Sequence, residues 1–200
     1  RIYYNIGRYP NFDNRMLSWA NEPHSKLSSG MTASREFVDI GHILHEMRLI
    51  KQKEEIKIMK HAAQISAAAH CRAMRACRAN MYEFEIQSEI EYEFRKAGAY
   101  SSAYPSIVAG GSNACILHYT ENNAPLRDGE LLLIDAGAEV DCYASDITRT
   151  FPINGRYNDE QLELYHIVLS AQEAAIAEVC PGNTWNTPHE AAVRTLTEGL

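Results

Sequence analysis

The sequence predicts an α+β domain in which helices precede and follow an antiparallel sheet. Three observations carry that prediction. Apolar residues recur at helical spacing between Lys51 and Ala97. A strand-rich stretch then runs from about Ser106 to Phe151, punctuated by turns at Gly110-Gly111 and Arg127-Asp128-Gly129. Helical patterns with recognisable start signals resume at Asn158.

Before these elements, the first forty or so residues lack a sustained period. An aromatic opening (Ile2, Tyr3, Tyr4), a turn around Gly7 to Pro10 and polar stretches near Ser25 to Ser34 read as the end of a preceding unit. From Lys51 an alanine-rich helix is predicted through Ala79, with Ile56, Met59, Ala63 and Ala67 at helical spacing. A second helix, from about Glu83 to Ala97, carries Ile86, Ile90, Phe94 and Ala97 on one stripe and stops at Gly98, a residue suited to the left-handed position after a helix. Its acids from Glu83 to Glu93 read as a solvated face.

After the strands, Asn158 followed by Gln161 has the layout of a capping box, and the helix it opens is closed by Pro181-Gly182. Thr187, Pro188 and Glu190 repeat the start signal as N-cap, N1 proline and N3 glutamate. The apolar face begun by Ala191, Ala192 and Leu196 is unfinished at Leu200, so the pattern predicts a chain cut within an element.

Composition narrows the function classes. At 46% apolar and 22% charged, the 200 residues suit a soluble protein with a sizeable core. The net charge of -7 is dispersed, with no basic run to neutralise phosphates, which argues against nucleic acid or an anionic membrane as partner. No apolar stretch approaches the length of a membrane span and the N-terminus lacks the layout of a secretory signal. Five cysteines, with no C-x-x-C spacing, argue against a disulfide framework and a cysteine zinc site; reduced thiols in a cytoplasm are expected.

The chemistry lies in LLLIDAGAEVDCYASDITRTFP, residues 131 to 152. Four apolar residues, Leu131 to Ile134, end on Asp135, and Asp146 follows eleven positions later. If residues 131–137 and 144–151 pair as a hairpin around Val140-Asp141, Asp135 faces Asp146 directly, and Thr148 and Thr150 share that face while Ile147 and Phe151 point away. Two buried carboxylates side by side must share a proton or hold a cation, and oxygen-only ligands favour ions such as Mn²⁺. The alternative on spacing alone is a strand-end acid and a turn residue, both solvated.

Several ordered motifs together resemble one family. HYTEN at 118–122, LIDAG at 133–137, DITRTFPINGRY at 146–157, and HEMRLIK at 45–51 with AAH at 68–70 are similar to the pita-bread metallopeptidases, specifically the bacterial Xaa-Pro aminopeptidases and their prolidase relatives. The resemblance implies the end of a creatinase-like N-terminal domain over 1–42 and the first half of a pita-bread catalytic domain over 43–200. It implies that Asp135 chelates one metal ion, that Asp146 is shared by two, and that His118 sits over the site and hydrogen-bonds substrate or the tetrahedral intermediate. Tyr104 and Thr148 would lie close to the metals.

Two Mn²⁺ per complete subunit are expected, completed by a histidine and two glutamates beyond residue 200, so this stretch alone is expected to be inactive. The implied reaction is hydrolysis of the bond between an N-terminal residue and a following proline, by a hydroxide bridging the two ions. The implied partners are peptides with proline second and further copies of the chain, as dimer or tetramer. A prolidase acting on Xaa-Pro dipeptides and a metal-free pita-bread binding module are the competing readings.

Other residues read as structural. His45-Glu46 has no second histidine at zinc-helix spacing. His61 and His70 read as partly buried or exposed bystanders, Cys115 and Cys142 as small buried hydrophobes. Tyr104, before Pro105, is compatible with plain packing as well as with a place beside the metals.

Overall fold

The computed structural model describes residues 1–21 and 36–200. The polar stretch near Ser25 to Ser34 lies outside the described residues. The chain divides into two compact units, residues 1–56 and 57–200. Among the described residues no helix is long and apolar enough to cross a membrane.

The first unit is more regular than its sequence implies. Strands β1 (Ile2–Tyr4) and β2 (Phe37–Asp39) pair in parallel, Ile2 opposite Phe37, and helices α1 (Pro10–Asn21) and α2 (Gly41–Leu49) accompany them. Edge-on contacts of Tyr4 with Phe12 and Phe37, at centroid distances of 5.9 and 6.1 Å, tie α1 to the strands. The expectation of an irregular stretch misses α1. Proline and three Asn or Asp residues within its first five positions imitate a loop, and it buries no residue fully.

The core of the second unit lies between two helices and a sheet. Helix α3 (Lys53–Ala76) buries Ala62, Ile65, Ser66, Ala69, His70 and Ala73. This is a different stripe from the expected one: Ile56, Met59, Ala63 and Ala67 are exposed. Alanine is frequent on every face of α3, and the true stripe contains a serine and a histidine that disguise it. Helix α4 (Glu83–Lys96) buries Ile86, Ile90 and Phe94 as expected, though Ala97 is exposed. Gly98 at φ +89° ends it, with Ala99 N–H donating to Phe94 O at 3.0 Å.

The sheet has the order β4 (Ile107–Gly110), β5 (Leu131–Ala136), β8 (Ile147–Pro152), antiparallel throughout. Leu132, Ile134 and Phe151 face the helices. Leu133 faces the other side with Ile107, Ala109 and Tyr119. Period-two alternation therefore puts Asp135 on the face away from α3 and α4. A smaller sheet, β3 (Ser101–Ser102), β6 (Ala138–Val140), β7 (Tyr143–Ala144), continues the hairpin beyond a break at Gly137.

The sequence-based hairpin register is two residues off. Asp135 pairs with Thr148 and Val140 with Tyr143, so the turn is Asp141-Cys142, both at positive φ (48° and 68°). This two-residue turn has left-handed geometry that usually recruits Asn-Gly or Asp-Gly, and cysteine in the glycine place hides it. A shift of two preserves faces, so Asp135, Asp146, Thr148 and Thr150 stay together while Phe151 enters the core.

Helices α5 (Asp159–Ala177) and α6 (Asn186–Gly199) follow. The Asn158 capping box forms: Gln161 N–H donates to Asn158 Oδ1 at 2.7 Å and Asn158 N–H to Gln161 Oε1 at 3.1 Å. Helix α6 begins earlier than Thr187-Pro188 suggests, because Thr187 Oγ1 instead accepts the Thr184 N–H at 3.2 Å and anchors a turn upstream.

The break at Gly137 is enforced by contact. A Cβ there would stand 1.7 Å from the backbone oxygen of Ser145. The approach is stitched by Ser66 and Ser145, whose hydroxyls lie 2.7 Å apart and accept the Ala138 N–H at 2.9 and 3.0 Å. Gly137→Ala is expected to cost about 2–4 kcal/mol, through forced separation of the two strands. Urea unfolding of the variant measures it; an unchanged midpoint would mean that the strands part without loss.

Candidate metal centre

Asp135, near the end of β5, and Asp146, just before β8, converge on one atom. The Tyr104 hydroxyl reaches Asp135 Oδ1 at 2.5 Å and Asp146 Oδ1 at 3.1 Å. The two carboxylates therefore stand within a few ångströms of each other, although they are not directly opposed in the ladder. Burial first, then the hydrogen bond to Asp135, holds the Tyr104 phenol well above its ordinary pKa, so it remains a donor. Plain packing does not describe Tyr104.

The pair is less buried than a strand-core reading implies: Asp146 is exposed and Asp135 half-buried. Both open onto a cleft of about 400 Å³ lined also by Tyr104, Pro105, Ile107, His118 and Thr120. Thr148, opposite Asp135 in the ladder, is exposed beside this face.

His118 reaches the cleft from the loop after a 3-10 turn at Gly111–Cys115. Its backbone is left-handed, φ +57°, an uncommon state for a side-chain-bearing residue. What holds this loop is a carboxylate absent from the sequence-based reading. Glu83, the first residue of α4, is fully buried, not part of a solvated face. Its Oε1 accepts Gly110 N–H at 2.8 Å and Asn113 Nδ2 at 3.0 Å; its Oε2 accepts Tyr119 OH at 2.7 Å and Ala124 N–H at 2.9 Å.

Four donors offset a desolvation cost that would otherwise be several kcal/mol. Glu83 continues the Ile86, Ile90, Phe94 stripe by helical spacing, which was the signal available in the sequence. Asn122, also buried, adds a second clamp: its Oδ1 accepts Val108 N–H at 2.9 Å and its Nδ2 donates to Ser106 O at 2.8 Å.

With this geometry in view, comparison with known proteins decides the family. Residues 57–200 match Metallopeptidase family M24. The chain belongs to metallopeptidase family M24. Its α+β pita-bread fold is shared with aminopeptidase PepP of Pseudomonas aeruginosa, which is 54% identical and superposes with a TM-score of 0.97 over 100% of this chain and 45% of that one. The Haemophilus influenzae Xaa-Pro aminopeptidase is 52% identical over 82% of this chain and 38% of its own length. A zinc-substituted Escherichia coli aminopeptidase P in complex with product superposes with a TM-score of 0.94 at 41% identity, covering 99% of this chain and 45% of that one. This M24 chain thus spans less than half the length of these relatives.

The M24 donor set suits a divalent cation. Two carboxylates around one phenol present oxygen donors alone, the chemistry of Mg²⁺-, Ca²⁺- or Mn²⁺-type sites, and their mutual repulsion is what a cation relieves. Among the described residues no group of three or more His, Cys, Asp or Glu side chains is placed to hold a metal, so Asp135 and Asp146 are a partial ligand set.

The remaining sequence-based assignments fare unevenly. His61 is exposed, but His70 is buried, its Nδ1 2.9 Å from Ser66 O. Cys115 and Cys142 are exposed rather than buried, since the first lies in the 3-10 turn and the second in the hairpin turn; only Cys77 of the five is buried.

Burial, then the hydrogen bond to Glu83, pushes the Tyr119 phenol up to about 12. The folded pKa exceeds the unfolded one, so this group's contribution to stability is complete below pH ~10 and is lost as pH rises toward 12. Tyr119→Phe is expected to flatten the fall of stability across that window, by up to about 2 kcal/mol in the pH-dependent part. Urea titrations at several alkaline pH values measure the slope; a parallel slope in both proteins would refute the assignment.

Proposed function

We propose that the full-length protein is a metal-dependent aminopeptidase that releases an N-terminal residue from peptides with proline in second place. The observation that carries this reading is the convergence of Asp135 and Asp146 on the Tyr104 hydroxyl in a cleft that His118 also lines. Family membership and the names of the relatives support the substrate class.

Asp135 and Asp146 would hold part of a two-metal site, Asp146 as the carboxylate common to both ions, and all-oxygen donors favour Mn²⁺. Bound divalent ions supply water activation near neutral pH and polarisation of the scissile carbonyl. Tyr104 keeps its proton and shares one O–H hydrogen bond between the two carboxylates, the shorter contact being to Asp135. Thr148 presents its hydroxyl on the same face of the hairpin. His118 donates a hydrogen bond to the substrate oxygen on which charge grows, so its contribution appears in turnover more than in binding.

His118→Ala in the full-length protein is expected to lower kcat on an Arg-Pro-Pro tripeptide by about 10²- to 10³-fold while bound metal stays at the wild-type level. Asp146→Asn is expected to lower bound metal and activity together. Metal analysis alongside steady-state kinetics separates the two effects. Activity confined to Xaa-Pro dipeptides would replace the aminopeptidase reading with a prolidase, and wild-type protein that binds no metal would remove the enzyme reading.

A further inference from the structure

We propose that Glu83 is a positioning residue for the reaction: its buried carboxylate clamps the segment from Gly110 to Ala124 and so holds His118 over the Asp135 and Asp146 cleft. The inference rests on the reading that His118 acts on substrate.

The four donors to Glu83 all belong to that one segment. Gly110 N–H and Ala124 N–H close its two ends onto the same carboxylate, one on each oxygen. Asn113 and Tyr119 pin its interior, and they also meet each other at 3.1 Å. Tyr119 immediately follows His118 in the chain, so Glu83 holds the residue next to the one that carries the imidazole.

His118 cannot set its own position. Its side chain is exposed and makes no hydrogen bond among the described residues, and its left-handed backbone is a state that neighbours must impose. Packing alone gives no reason for a carboxylate at this place, because the stripe of Ile86, Ile90 and Phe94 would be continued by an apolar side chain. Among the described residues no lysine or arginine pairs with Glu83, so the charge is balanced by donors of this segment alone. A carboxylate is the one side chain that offers acceptors to two backbone amides, an amide side chain and a phenol together.

Glu83→Gln is the informative change. It preserves shape but replaces one oxygen by an NH₂ group, which must then face a backbone N–H. In the full-length, Mn²⁺-loaded enzyme acting on Arg-Pro-Pro, E83Q is expected to lower kcat about ten- to a hundredfold, with KM within about twofold and bound metal unchanged. Amide hydrogen exchange over residues 110–124 should quicken.

In an H118A background the same change should lower kcat no further, since its effect passes through the imidazole. A multiplicative loss in the double variant, or unchanged exchange over 110–124, would overturn the positioning role while leaving His118 in place. Full turnover by H118A alone would overturn both it and the reading of His118. Should E83Q not fold, Y119F removes one donor of the four and is expected to give a smaller loss with the same dependence on His118; a loss independent of His118 would count against the proposal.

Discussion

Two negatively charged side chains meet at a single phenol proton, and much of the second unit is arranged to allow it. Asp135 leaves a strand with apolar side chains on both faces, whereas Asp146 lies across a hairpin that has to be pinched at Gly137 before the two can approach. The pinch is held from behind by the buried hydroxyls of Ser66, on α3, and Ser145, in the hairpin. Coulomb repulsion in front is thus opposed by hydrogen bonds in the core, which are worth more where water is absent. The cleft side stays open, where a cation can enter.

How much of this could be read from the chain depended on which force dominated locally. Helix α4 was legible because Ile86, Ile90 and Phe94 are large, apolar and evenly spaced. Helix α5 was legible because its cap uses side-chain atoms of Asn158 and Gln161, which are visible in the sequence itself. Helix α3 is legible as a helix but its buried face is not, since alanines bury as readily on either side and Ser66 and His70 face inward to serve hydrogen bonds. Helix α1 escapes the sequence because it buries no residue fully and meets its strand through a single aromatic edge contact, Phe12 on Tyr4.

The site followed the same logic. The acids and His118 were picked out by an ordered set of motifs, and the face they share survived a register shift because the shift was even. Cys142 in the turn concealed that shift, since backbone strain at φ +68° leaves no mark on composition. Glu83 is hidden for a plainer reason. In a helix with five glutamates composition assigns all of them to solvent, and although the phase of the apolar stripe sets Glu83 apart, the donors that make its burial tolerable come from a loop far along the chain.

The contrast between Glu83 and the aspartate pair carries a general point about carboxylates in this fold. Glu83 is surrounded by donors on both oxygens and has no acceptor capacity pointed at open space, so it is spent entirely on structure. Among the described residues Asp135 and Asp146 have one donor between them, the Tyr104 hydroxyl, and both line a cleft. Buried and saturated, a carboxylate organises backbone; exposed to a cleft and undersaturated, it seeks a ligand. The distinction lies in hydrogen-bond accounting rather than in burial, because the fully buried acid is the satisfied one. The loop that the first kind holds carries His118, which lines the same cleft as the second kind.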